Sequence, residues 1–222
     1  MVRSLGALVV SLFAAGLVHG QSSVVPNTDY NFDRSNSALR QQLNNVEQHH
    51  LGQGIARIRT RDWSAAYADL DFILGYFPNH PKALELLSDV CLGWKSRKCD
   101  FSSYAERAVA VNPKTASTYV VIGIHAMREK RFDDAVNSFK QAIALHPDSL
   151  NAHYNLGLTY LNKKDYQRAN EHAQRAYELG APVPGLQRKL IEAGQWKPIE
   201  KPKAATAGDQ SPENAPNGET SK

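Results

Sequence analysis

The chain has 222 residues, 42% of them apolar and 22% charged, with a formal net charge of +4. This composition suits a folded core, and no run reaches the roughly 20 consecutive apolar residues that a membrane helix needs. The small positive excess is spread out, without the run of Lys and Arg that would track a phosphate backbone, which argues against nucleic acid as a partner.

Residues 1–20 read as an export signal. Arg3 supplies a positive start, residues 5–18 are an apolar run, and Val18-His19-Gly20 puts small residues at the minus-three and minus-one positions. Cleavage is expected before Gln21, and the mature chain then has no span. No cysteine stands at the cleavage site to carry a bacterial lipid anchor. Residues 21–36 read as a flexible segment. From Ser37, a helix cap by residue type, Leu39, Leu43 and Val46 recur at helical spacing. That helix is expected to cover the N-terminal edge of the domain.

A phrase then recurs. Arg61-Asp62-Trp63, Lys130-Arg131-Phe132 and Lys164-Asp165-Tyr166 are each followed, three residues after the aromatic, by Ala66, Ala135 and Ala169. The second and third aromatics lie 34 residues apart, the first and second 69, and Pro78, Pro113 and Pro147 are spaced at 35 and 34. A 34-residue period with small residues at fixed offsets and a closing proline resembles the tetratricopeptide repeat. In the last copy Leu156, Gly157, Tyr160, Tyr166, Ala169, Ala173 and Ala176 occupy that family's key positions, and in the copy before it Gly123, Ala126, Phe132, Ala135, Phe139, Ala142 and Pro147 do.

The resemblance implies an all-α solenoid of about four helix–turn–helix repeats over 37–196, with N- and C-terminal capping helices. The repeats fall at 47–80, 81–115, 116–149 and 150–183, and a capping helix at 184–194 carries Leu186, Leu190 and Ile191. Gly123 is expected to face Ala135, and Gly157 to face Ala169. The second copy departs most, with Ser88 for the small glycine, Lys98 for the aromatic and Phe101 for the alanine, so the turn at 93–98 is expected to be enlarged. Residues 197–222, Pro-, Ala- and Gly-rich with little apolar content, read as a disordered tail.

Cys91 and Cys99 fall across that turn. Export favours a disulfide between them, the alternative being two buried thiols. The eight histidines, including the adjacent His49 and His50, share no metal-ligand geometry. No phosphate loop, nucleophile elbow or zinc signature is present. The expectation is therefore a non-enzyme with no cofactor and no metal.

In the family, the first helix of each repeat lines a concave groove. Carried over, its residues here are Leu51, Ile55 and Ile58; Lys82, Glu85 and Asp89; Val120, Ile124 and Met127; and Tyr154, Leu158 and Leu161. Mostly apolar, this set lacks the Lys, Arg and Asn cluster with which some relatives grip a terminal carboxylate. It implies a protein partner with hydrophobic anchors, or a second copy of the chain. Repeats of this kind behind an export signal suggest a periplasmic or secreted scaffold for assembly or maintenance of an envelope complex. A homo-oligomeric module and an accessory subunit of an envelope enzyme are the alternatives.

Overall fold

The computed structural model describes residues 27–94, 99–182 and 184–197, and among these every regular element is helical. The expected signal at 1–20 and the tail beyond Lys197 lie outside the described residues. The chain forms two compact units, Met1–Pro113 and Lys114–Lys222.

In the first unit, helix α1 (Ser37–Val46) is capped by Asn36, whose side chain accepts from the Leu39 amide at 3.1 Å, so Ser37 is the first helical residue and not the cap. No Gly, Pro or capping residue interrupts the chain at 46–47. The expected boundary between a capping helix and the first repeat is accordingly continuous: a π turn at Glu47–Leu51 leads straight into α2 (Gly52–Arg59). The turn aims His50 at Asp69 of α3 (Trp63–Tyr76), its Nδ1 lying 3.1 Å from the carboxylate that Arg57 also reaches. α2 and α3 close around Gly54, where a methyl group would touch the Leu70 side chain at 3.4 Å.

Residues 27–36 do not behave as the loose segment expected of 21–36. Asn27 and Thr28 donate backbone hydrogen bonds to the carbonyls of Gly75 and Tyr76 at 3.2 and 2.7 Å. The Asp29 carboxylate accepts from the side-chain amides of Asn79 and Asn112 at 2.6 and 2.7 Å. Phe32 stacks on Phe77, and Tyr30 lies against the His80 ring. The segment is a strap over the ends of α3 and α5 (Phe101–Val111), satisfying backbone and amide groups that burial would otherwise leave unpaired.

α4 (Pro81–Trp94) starts on a proline, as a first helical turn tolerates. Its cap is unusual: the Ala83 amide donates to His80 Nδ1 at 3.2 Å. The other ring nitrogen therefore carries the proton and donates to Glu47 at 2.9 Å. α4 and α5 are joined through residues 95–100, where the other hairpins need only 60–62, 129–131 and 163–165. Cys91 and Cys99 are bonded across this longer connection, with Cα atoms 5.1 Å apart.

The second unit holds α6 (Ala116–Arg128), α7 (Phe132–Leu145), α8 (Leu150–Asn162), α9 (Tyr166–Glu178) and α10 (Gly185–Glu192). Its two hairpins close on glycine. A Cβ on Gly123 would sit 2.6 Å from the Phe139 ring, and one on Gly157 would meet Leu186 at 2.7 Å and the backbone of Ala169 at 3.3 Å. Gly157 thus faces Ala169 as expected, whereas the space at Gly123 is filled by a phenylalanine one turn further along α7. Leu186 and Leu190 of α10 are fully buried and close the end of this core. Asn170 ties down the chain beyond α10, donating to the Gln195 carbonyl and accepting from the Lys197 amide.

Candidate interaction faces

In the second unit, three successive turns of α6 present positions 120, 124 and 127, and α8 repeats them at 154, 158 and 161. Ile124, Met127, Tyr154, Leu158 and Leu161 are half-buried, each packed on the core with part of its surface in water. Val120 departs from the expected set. It is 8% exposed and belongs to the buried cluster, because a valine is too short to reach the surface that Tyr154 reaches from the equivalent position.

In the first unit, Leu51, Ile55 and Ile58 are half-buried on the π turn and α2. On α4, Lys82 and Glu85 are exposed and paired with each other at 3.0 Å, and Asp89 is half-buried. The expected polar interruption is thus partly self-neutralised.

Two polar networks carry no sequence signature. Tyr104 donates to Asp71 at 2.6 Å, so Tyr67, 2.6 Å away, is the donor to the Tyr104 oxygen. Burial, then the bond to Asp71, pushes the Tyr104 hydroxyl pKa well above the ordinary tyrosine value. Tyr67 and Tyr104 line a cavity of about 260 Å³ with Asp100, Ser103 and Arg107. A phenol held protonated in this way is a poor base.

In the second unit, His153 Nε2 donates to the Pro147 carbonyl at 2.9 Å, leaving its Nδ1 as an acceptor for His172 Nδ1–H at 3.1 Å. Burial, then His153, Lys140 and Arg168, depress the His172 pKa to about 4. Nearby cations disfavour a metal ion as they disfavour a proton. Among the described residues, no group of three or more His, Cys, Asp or Glu is placed to hold a metal. None of the described helices is long and apolar enough to cross a membrane.

Antiparallel helix hairpins repeating every 34 or so residues and closing on small residues define a helical-repeat protein. Residues 120–184 match the tetratricopeptide repeat family model. A solved structure of Pseudomonas aeruginosa pilF is similar at a TM-score of 0.54 and 19% identity, over 69% of this chain and 71% of that one. The MamA protein is similar at 0.50 and 18%, over 67% and 80%. At these identities the likeness is one of fold. The human protein O-mannosyl-transferase TMTC3 is 34% identical over 86 residues, 39% of this chain and 9% of that protein. The chain spans between 9% and 28% of the length of the curated relatives it matches. Residues 120–184 are thus tetratricopeptide repeats in a chain of the same helical-repeat fold, and repeats of this family generally act as protein-binding scaffolds.

Proposed function

We propose that this protein is an exported, non-catalytic scaffold that holds a segment of a partner protein on the α6–α8 face, during assembly or maintenance of an envelope complex. The observation that carries the reading is the row of half-buried apolar side chains Ile124, Met127, Tyr154, Leu158 and Leu161 on two helices of one unit. Large apolar and aromatic groups that remain partly in water are the usual anchors of a binding surface. The leader pattern at 1–20 and a bonded cysteine pair both support an oxidising compartment outside the cytoplasm, the periplasm in a bacterial host.

Ile124→Asp tests the face. The helical circular dichroism should be retained, because Ile124 is already partly solvated, while capture of the partner from envelope extracts should weaken by about 2 kcal/mol or more. If the variant unfolds, Leu158→Asp repeats the test from α8. Unchanged capture by a folded variant rejects the reading. Concentration-dependent light scattering that both substitutions abolish would assign the face to a second copy of the chain instead.

A further inference from the structure

The two apolar rows of the α6–α8 face end in the same way. Ile124 and Met127 are followed by Lys130, whose amide donates to the Met127 carbonyl at 3.0 Å; Leu158 and Leu161 are followed by Lys164, whose amide donates to the Leu161 carbonyl at 3.0 Å. Both lysines take left-handed backbone angles, φ 63° and 60°, and both are exposed directly beyond the last apolar turn of their helix.

The electrostatics of this face have one sign. Neither α6 nor α8 contains an Asp or a Glu. The carboxylates in and just after the turns beyond them are answered locally: Glu129 and Asp134 share Arg131 at 2.9 and 2.6 Å, and Asp165 pairs with Arg168. Lys163 is taken by Asp133. Lys130 and Lys164 are left without a carboxylate of the described chain at either row end. Beyond the expected signal at 1–20, the chain itself offers poor occupants. Leu43 and Val46 of α1 are already buried in the first unit, and residues 198–222 contain a single large apolar side chain, Ile199.

We infer that the occupant of this face is a segment of another protein carrying at least two large apolar anchors with Asp or Glu beyond them, its acidic end lying on Lys130 and Lys164. The inference rests on the reading of the face given under Proposed function. Apolar anchors supply the affinity, and the lysines set direction and speed encounter, since exposed ion pairs add little each but steer association. Cations at a helix C-terminus also suit the helix dipole. A role confined to the dipole would change stability and leave partner choice alone, so the test must read partner choice.

Random dodecapeptides displayed on phage are selected against the full, disulfide-bonded chain. The expected wild-type set is rich in large apolar residues with Asp or Glu clustered toward one end, and binding of a selected peptide weakens about tenfold between low and high salt. Lys130→Glu with Lys164→Glu should keep the apolar enrichment, lose the acidic one, and bind the wild-type peptides about tenfold more weakly. Lys130→Gln with Lys164→Gln should fall between. Apolar selection with no acidic bias, or an acidic bias that neither double variant moves, overturns the inference while leaving the face intact. Selection that Ile124→Asp does not disturb overturns the reading of the face itself. The salt titration of the wild type needs no substitution, so a misfolding variant does not leave the question open.

Discussion

The hairpin of α4 and α5 and the two hairpins of α6–α9 solve one packing problem by different chemistry. In the second unit the helices approach over Gly123 and Gly157, and the volume freed is filled by Phe139, Ala169 and Leu186. Van der Waals contact over small residues closes these pairs, with a hydrogen bond between His153 and His172 added across α8 and α9. The α4–α5 hairpin has Ser88 where the small glycine belongs and a longer connection, and it is closed by a bond between Cys91 and Cys99. Around it stand directional contacts: the Tyr67–Tyr104–Asp71 chain, Arg107 on the Leu74 carbonyl at 2.7 Å, and Asp29 on Asn112. A repeat can thus lose its packing signature and keep its place when a covalent link and polar contacts take over.

Breaking the packing solution should cost most. Phe139 is fully buried and fills the space that Gly123 leaves, so Phe139→Ala opens a cavity in rigid surroundings. The expected loss is about 3–5 kcal/mol, read by urea denaturation with circular dichroism. Hydrogen exchange should rise in peptides from 116–192 and remain near wild type in peptides from 37–94. A loss below about 1 kcal/mol would mean that the hairpin does not depend on this fit.

Breaking the covalent solution should cost less. Cys91→Ser with Cys99→Ser removes a cross-link between residues eight apart in sequence, worth roughly 2–3 kcal/mol for so short a loop. Exchange should rise in α4 and α5 and not in α8 and α9, the reverse of the Phe139→Ala pattern. Reduction of the wild type should reproduce it.

The difference between the two regions also marks what the sequence makes legible. The regular hairpins are legible because their closure depends on residue size at fixed offsets, and size is written in the sequence. So are the half-buried positions Ile124, Met127, Tyr154, Leu158 and Leu161, which the resemblance to the repeat family carries over onto this sequence. Val120 is lost from that set because register gives direction but not reach. The strap at 27–36 is illegible for a different reason: its order depends on Asp29 finding Asn79 and Asn112, 50 and 83 residues away, and polar residues near a terminus otherwise read as loop. The π turn leaves no marker either, since one extra residue in an unbroken helix changes phase without changing composition. The pairing of His153 with His172 joins two neighbouring helices and obeys no local pattern.

That histidine pair supplies the finest distinction between the units, visible only in acid. His172 is held neutral, its pKa depressed from the ordinary 6.5 to about 4, while in the unfolded chain it titrates normally. The unfolded state therefore gains a proton first as pH falls. Stability from this group is full above about pH 6.5, declines through the interval, and levels off near pH 4. The decline has a mechanical meaning, because an added proton places a cation beside Lys140 and Arg168. In the first unit His80 shifts in the same direction through burial, and its protonation would occupy the Nδ1 that caps α4. His172→Gln keeps an amide able to donate to His153 and removes the titration. At pH 7.5 it should cost no more than about 1 kcal/mol, the scale of one hydrogen bond. Between pH 6.5 and 4, hydrogen exchange in α8 and α9 should become less acid-sensitive than in wild type, though not flat, because burial depresses His125 as well. Exchange around α4 should keep its full acid response. An unaltered pH slope in α8 and α9 would show that His172 is not the group that senses the proton.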